Sequence, residues 1–229
     1  FEQIRNSVGY PHLNVKVAAT HAGLSVGEDG ASHQCCEDIA LMRTIPGMVI
    51  LSPADDVEAR AAVIAAYNYE GPVYLRFSRL PSPVFHNPDN YEFHIGKGEK
   101  LTDGFDAAII ATGLMTAEAL RAAVLAKRQG ISVRVINMPT IKPLDEEIVL
   151  TAARECHNII TVEEHNVIGG LGEAVCSLLS EKLPTPVRRI GVQDKFGHSG
   201  PAAEVLRDYG LTAENIAAAV REMVYPGTV

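Results

Sequence analysis

The sequence lacks the features of a metal-binding, disulfide-bonded or membrane-spanning chain. Its four cysteines are an adjacent pair, Cys35 and Cys36, and two single residues, and no Cys-x-x-Cys or Cys/His spacing indicates a zinc site. Adjacent cysteines rarely bond to each other, so a reduced, cytoplasmic chain is the simplest interpretation. No apolar run reaches the roughly 18 residues of a membrane span.

Basic residues are also in the minority. The chain has 20 Lys and Arg against 28 Asp and Glu, a net charge of −8. This balance argues against a nucleic-acid groove, because phosphate backbones are bound by clustered Lys and Arg. Small anionic metabolites remain allowed. With 229 residues, 47% of them hydrophobic, the chain suits one large or two modest globular domains.

The most informative stretch is a strand-to-helix connection at residues 21–34. It carries His21, Asp29 and His33 among three glycines, which permit backbone conformations closed to other residues. In a parallel sheet such a connection lies outside the carboxyl ends of the strands, where ligands bind. An imidazole can donate or accept a proton near pH 7, and Asp29 can orient it or bind a substrate hydroxyl. The alternative is a polar surface loop whose histidines satisfy backbone groups.

Arg79 follows the strand-like run at residues 73–78 and belongs to the same predicted sheet edge. Its guanidinium fork suits a phosphate, whereas strand alternation sends Arg76 to the opposite face. Together with His21, Asp29 and His33, Arg79 indicates a pocket for a hydroxylated, anionic small molecule. We expect the four side chains to cluster. The alternative for Arg79 is an ordinary surface ion pair.

The pattern along the chain predicts an α/β protein with two consecutive three-layer domains and mostly parallel sheets. A β-loop-α-β-α-β series occupies residues 1–80, a Pro- and Gly-rich linker residues 81–105, and a second alternating series residues 106–229. The first series has only about three strands and opens inside a helical pattern. We therefore expect the sequence to begin within a domain.

The second domain is expected to serve architecture and assembly rather than chemistry. Its glycine-rich turn at residues 169–172 lacks the second half of a dinucleotide fingerprint, so close helix–strand packing is the better interpretation. Glu163, Glu164 and His165 come at a strand end. They either form a site, cap the next helix or meet a neighbouring subunit, and the sequence leaves these three possibilities open.

The loop motif Gly27-Glu28-Asp29-Gly30, followed by His33-Gln34, resembles that of the thiamine-diphosphate-dependent transketolase family. The resemblance extends over nearly the whole chain. It is closest to the C-terminal subunit of split, two-chain transketolases. The other matching motifs are Ile45-Pro46-Gly47-Met48, Pro53-Ala54-Asp55, Gly71-Pro72-Val73, Phe77-Ser78-Arg79, Glu163-Glu164-His165, Gly169-Gly170-Leu171-Gly172 and Gly210-Leu211-Thr212.

The resemblance implies that residues 1–80 are the second part of a pyrimidine-binding domain and residues 106–229 the transketolase C-terminal domain. It implies transfer of a two-carbon ketol unit between the sugar phosphates of the pentose phosphate pathway. His21 and His33 would be catalytic, and His21, Asp29, His33 and Arg79 would bind substrate. By the same resemblance, Phe1 would lie near the aromatic patch that packs on the aminopyrimidine of thiamine diphosphate.

The same resemblance implies thiamine diphosphate with Mg²⁺ as cofactor. A separate N-terminal subunit would hold the diphosphate and the metal, with no metal ligand in this chain, in a homodimer or heterotetramer. The family's catalytic glutamate is expected upstream of Phe1, because Glu2 and Glu28 are poorly placed. The chain alone is then expected to be inactive. The rival interpretations are a deoxyxylulose-phosphate synthase, with pyruvate as donor, and a non-catalytic regulatory or assembly subunit.

Overall fold

A computed structural model describes residues 1–227 of the chain. Positions 228 and 229, the end of the predicted C-terminal domain, lie outside the described residues. The first part of the chain follows the predicted order of strands and helices. Its elements are α1 (Glu2–Ile4), a π-helix (Arg5–Gly9), β1 (Lys16–Ala22), a 3₁₀ helix (Leu24–Asp29), α2 (Asp38–Arg43), β2 (Val49–Leu51), α3 (Asp56–Asn68) and β3 (Val73–Ser78).

The first sheet has an apolar middle that is covered on both faces, formed by β2 and most of β3, whereas the edge strand β1 is exposed at Ala18, Thr20 and His21. β1, β3 and β2 lie side by side in that order and run parallel. Ile50 of β2 packs in one apolar cluster with Ile39 of α2, and Leu51 packs in another with Ala62 of α3. Because neighbouring strand residues point to opposite faces, β2 needs apolar residues at every position.

The second part contains the longer sheet. Its elements are β4 (Glu99–Thr102), β5 (Ala107–Ala111), α4 (Met115–Lys127), β6 (Val133–Asn137), β7 (Thr140–Lys142), α5 (Glu146–Cys156), β8 (Ile159–Asn166), α6 (Leu171–Lys182), β9 (Val187–Val192), α7 (Ala202–Asp208) and α8 (Ala213–Val224). The strand order of the sheet is β4-β6-β5-β8-β9. In it β6, β5, β8 and β9 run parallel, and β4 pairs antiparallel with β6 at one edge.

The central strands of this sheet, β6, β5 and β8, are buried on both faces. Ile109 of β5 packs with residues of α4 and α8, while its neighbour Ile110 packs with residues of α5 and α6. The fold class, two consecutive α/β units with mostly parallel sheets, is confirmed. Within residues 1–227 no helix is long and apolar enough to cross a membrane.

Two short strands were not predicted. β4 lies inside the expected linker. β7 leaves the second part of the chain and completes the first sheet by pairing antiparallel with β2, where Leu51 is in register with Thr140. A three-residue strand between Pro139 and Pro143 carries no periodic signal, and its partner lies far away in the sequence.

The predicted linker is tied down by buried polar contacts. Asp55 caps the start of α3 by accepting a 3.0 Å hydrogen bond from the Glu58 amide. Its other oxygen accepts from the amides of Phe85 and His86 at 2.9 and 3.0 Å. The His86 ring lies between two carboxylates, with Nδ1 3.0 Å from Asp55 Oδ2 and Nε2 2.9 Å from Glu99 Oε2.

This arrangement predicts a pH-dependent contribution to stability. Burial disfavours the charged imidazole, but the two carboxylates outweigh it and raise the pKa of His86 to about 9 from 6.5. A raised pKa stabilises the fold fully below about pH 6.5, and the effect is lost as the pH rises through about 9. We expect His86→Gln to cost about 1–2 kcal/mol more at about pH 6 than at about pH 10, because exposed Glu99 contributes weakly. Urea unfolding of both proteins measures this difference, and an equal cost at both pH values contradicts it.

Candidate active site

The candidate site lies at the carboxyl ends of the first sheet. Ala22, the last residue of β1, is in register with Ser78, the last residue of β3. His21 and Arg79 therefore sit at the ends of neighbouring parallel strands, the edge at which ligands bind. His21 is exposed and adopts a φ of 65°, and its Nδ1 lies 3.0 Å from Thr20 Oγ1. The imidazole is thus presented to solvent at the sheet edge.

Asp29 and Arg79 are in direct contact. Arg79 Nη1 lies 3.4 Å from Asp29 Oδ2 and 3.7 Å from Glu28 Oε2, and it donates to the Val26 carbonyl. The Arg79 side chain is 38% exposed, and within residues 1–227 its Nε and Nη2 make no hydrogen bond. Arg79 is therefore both a surface ion-pair partner, as the alternative interpretation held, and a guanidinium with donors left for an anion.

His33 is held in the turn that follows Asp29. Its amide donates to the Gly30 carbonyl at 3.0 Å, and its exposed ring lies with Nδ1 3.0 Å from Ser32 Oγ. The next residue, buried Gln34, donates through Nε2 to the carbonyls of Gly27 and His198, at 3.1 and 3.0 Å. Gln34 thus joins the loop to the second part of the chain, a role that its place in the motif did not reveal.

The structure brings Asp29 and Arg79 into contact, while the His33 ring contacts Ser32 in the turn after Asp29 and the His21 ring contacts Thr20 at the end of β1. Phe1, the expected cofactor contact, lies at the start of α1. Its side chain is 50% exposed and its carbonyl accepts from the Arg5 amide at 2.9 Å. The functional roles of these five residues stay predictions.

A buried ion pair lies below the loop. Arg76 Nε donates to Asp38 Oδ2 at 2.7 Å and Nη2 to Oδ1 at 3.2 Å, while the Tyr74 hydroxyl donates to Oδ2 at 2.8 Å. Burial acts to raise the pKa of Asp38, but the charge and hydrogen bonds of Arg76 outweigh it and hold that pKa below its usual value. Arg76 Nη2 also donates to the Glu164 carbonyl at 2.9 Å, which links the two sheets.

The three polar residues at the end of β8 are all buried. Glu163 accepts from the amides of Leu171 and Gly172, at 2.7 and 2.8 Å, and so caps α6, one of the three possibilities that the sequence left open. Burial raises the pKa of Glu163 to about 7 against these hydrogen bonds. Glu164 instead reaches the loop of the first part, where it accepts from the Ser25 amide at 2.5 Å. Burial raises its pKa too, and Arg76 opposes the rise.

His165 is a neutral imidazole of the same junction. Its Nε2 accepts from the Ala40 amide at 3.4 Å, so the proton is on Nδ1, which lies 2.6 Å from the Asn166 carbonyl. Burial lowers the pKa of His165 to about 4. The glycines after it allow close packing, as predicted, because a Cβ at Gly170 would overlap the Glu163 carboxylate.

A metal ion and an organic cofactor place different demands on this surface. Among residues 1–227 no group of three or more His, Cys, Asp or Glu side chains is arranged to hold a metal ion. The exposed imidazole of His21 lies at the sheet edge, where an organic group can contact it.

Family models decide the identification. The pyrimidine-binding domain of transketolase matches residues 1–83, and the C-terminal domain of transketolase matches residues 96–216. The chain belongs to the transketolase family. The resemblance inferred from the loop motif is thereby confirmed.

Relatives of this transketolase chain include both single subunits and longer enzymes. It is 49% identical to a putative transketolase C-terminal section of Methanocaldococcus jannaschii, over 97% of this chain and 70% of that protein. It is 42% identical to a 6-deoxy-6-sulfo-D-fructose transketolase subunit of a Clostridium species, over 97% of this chain and 69% of that protein. It is 37% identical to a 1-deoxy-D-xylulose-5-phosphate synthase of Syntrophotalea carbinolica, over 98% of this chain but only 36% of the synthase.

A solved structure matches this transketolase chain across nearly its whole length. It is described as a split-gene transketolase in an inactive β4 tetramer. The two share 49% identity and superpose with a TM-score of 0.91, covering 98% of this chain and 71% of that one. Split transketolase subunits thus share both the sequence and the fold described above.

Proposed function

We propose that this chain is the C-terminal subunit of a thiamine-diphosphate-dependent transketolase. It would transfer a two-carbon ketol unit between sugar phosphates of the pentose phosphate pathway. The observation that carries the proposal is the contact between Asp29 and Arg79 at the carboxyl edge of a parallel sheet, where the strand end and the loop also carry the exposed imidazoles of His21 and His33.

The residues of this surface divide the work on a sugar phosphate. Arg79 offers a charged fork with free donors, and the phosphate is its natural partner. Asp29 accepts hydrogen bonds from sugar hydroxyls. His21 and His33 move protons at the oxygens of the reacting carbons, since an imidazole can do both halves of a proton transfer near neutral pH. When bound, thiamine diphosphate would supply the nucleophilic carbon that this transfer requires.

The missing part of the site is assigned to a partner. The described residues have no metal-ligand group, so an N-terminal transketolase subunit would hold Mg²⁺ and the diphosphate, with Phe1 and His21 facing the organic end of the cofactor. The assembly would be a dimer or a heterotetramer. Because the cofactor would bind only the assembled chains, it would also tighten their association.

Calorimetry and activity assays test the proposal together. Thiamine diphosphate and Mg²⁺ are titrated into this chain, into a transketolase N-terminal subunit of the same organism, and into their mixture. We expect tight binding, and ketol transfer from a ketose phosphate to an aldose phosphate, only in the mixture. Turnover with pyruvate as donor would instead assign a deoxyxylulose-phosphate synthase activity. A stable mixed complex with cofactor bound but no turnover would assign a non-catalytic subunit.

A further inference from the structure

The loop that carries Asp29 is supported from beneath by the second part of the chain. Glu164, at the end of β8, is 2% exposed, and its carboxylate lies under the loop at residues 23–30. Oε1 accepts the 2.5 Å hydrogen bond from the Ser25 amide. The Glu164 carbonyl is fixed in turn by Arg76. A buried, anchored carboxylate thus holds a backbone donor of the candidate site.

The loop backbone is shaped around this carboxylate. Gly23 has a φ of +81°, and a Cβ there would overlap the Glu164 carboxyl group. Glu164 Oε2 and Ser25 Oγ are both buried, and within residues 1–227 neither has a hydrogen-bond partner. The two unpaired atoms belong to residues that the hydrogen bond from the Ser25 amide already joins.

The contact continues directly to the substrate side of the loop. Val26 follows Ser25, and its carbonyl accepts a hydrogen bond from Arg79 Nη1. The same Nη1 contacts Asp29. A shift of the Ser25 amide therefore moves the acceptor that orients the guanidinium of Arg79.

Glu163 shows that burial at this strand end does not by itself imply such a role. It is as buried as Glu164 and accepts two amide hydrogen bonds, but both come from the start of α6 in its own part of the chain. Glu164 alone of the pair reaches across to the loop. The two adjacent residues form a natural matched pair for experiment.

We propose that Glu164 is a positioning residue of the substrate site: by holding the Ser25 amide it fixes the loop that carries Asp29 and orients Arg79. The ordering of the loop is a property of this chain. The effect on turnover rests on the proposed transketolase function. Under this proposal the second domain contributes to chemistry through one side chain, in contrast to the purely architectural role expected from the sequence.

The test begins with hydrogen–deuterium exchange of the chain. Glu164→Asp keeps the charge but withdraws the acceptor by one methylene, so the amides of residues 23–30 are expected to exchange at least about tenfold faster. Glu164→Gln keeps an acceptor for the Ser25 amide and offers a donor to Ser25 Oγ, so it should retain protection. Glu163→Asp is the matched control and should expose the start of α6 instead. Unchanged loop exchange in Glu164→Asp, or equal loosening by Glu163→Asp, overturns the proposal.

The same variants are then assayed in the assembled two-subunit enzyme. Glu164→Asp should lower kcat/KM for the ketose phosphate by about 10–100-fold, because small misplacements of oriented groups have effects of this size. Glu164→Gln and Glu163→Asp should stay within roughly threefold of the wild type. Faster loop exchange with unchanged kcat/KM overturns the positioning role. If the wild-type assembly has no activity, the proposed function fails, and the exchange result still decides whether Glu164 orders the loop.

Discussion

Asp38→Ala is expected to lower the free energy of unfolding by about 3–5 kcal/mol. The substitution removes the partner of Arg76, whose side chain is 5% exposed, and leaves the buried Tyr74 hydroxyl without its acceptor. An uncompensated buried charge costs far more than the ion pair itself contributes. Urea unfolding monitored by circular dichroism measures the loss.

Asp56 provides the control for this prediction. It forms an i,i+4 ion pair with Arg60, but the two side chains are 61% and 76% exposed, so Asp56→Ala should cost less than about 0.5 kcal/mol. Asp38→Asn keeps the shape of the side chain and one acceptor, and should fall between the two. It also provides a measurement if Asp38→Ala does not fold. Similar losses for Asp38→Asn and Asp56→Ala would contradict the argument.

His21→Asn is expected to reduce kcat of the assembled enzyme by about 10²–10⁴-fold, the range that proton transfer by a positioned side chain contributes. Asparagine suits the position because His21 has a φ of 65°, a left-handed conformation that Asn tolerates better than most residues. The exposed ring contacts only Thr20 within the described hydrogen bonds, so the fold should keep its stability. Steady-state kinetics with a ketose phosphate donor and an aldose phosphate acceptor measure the change.

His12 is a matched control at the other end of the same sheet. It is also exposed, has a φ of 52°, and its ring lies near Gly71, which precedes β3. His12→Asn repeats the chemical change and the backbone strain without touching the carboxyl edge, and should leave kcat unchanged. A loss of kcat shared equally by the His12 and His21 variants would point to the fold and not to proton transfer.

Arg79→Ala should mainly raise KM for the sugar phosphate, because it removes a binding charge.

Local signals made much of the fold predictable. The apolar run of β5 predicts a strand covered on both faces. Asp55 predicts the start of α3, because an N-cap acts within one turn. β7 could not be found in this way, because three residues have no period and pairing with β2 is a long-range event. The strands with strong local patterns were predicted, and the two short strands that depend on distant partners were missed.

The candidate site shows the same difference between local signals and long-range contacts. The loop motif and the strand-end position of Arg79 made the edge predictable. Strand alternation predicts different faces for Arg76 and Arg79, but it does not identify the partner of Arg76. That partner, Asp38, lies 38 residues earlier, and no local pattern joins the two. For Glu164 the sequence left three possibilities open, because only the fold brings β8 beneath the loop. In each case the contact joins residues that are far apart in the sequence, so only the folded structure reveals it.

β7 lies in the second part of the chain but pairs in the first sheet, and this limits where the protein can be divided. A gene cut at residues 81–105 would separate β7 from β2 and leave the backbone groups of Ile50 and Leu51 open on an edge strand. An edge strand with unpaired backbone groups can pair with strands of other chains, which promotes aggregation. The two family domains are therefore not interchangeable modules, and swapping the C-terminal domain between relatives requires carrying the matching edge of the first sheet with it.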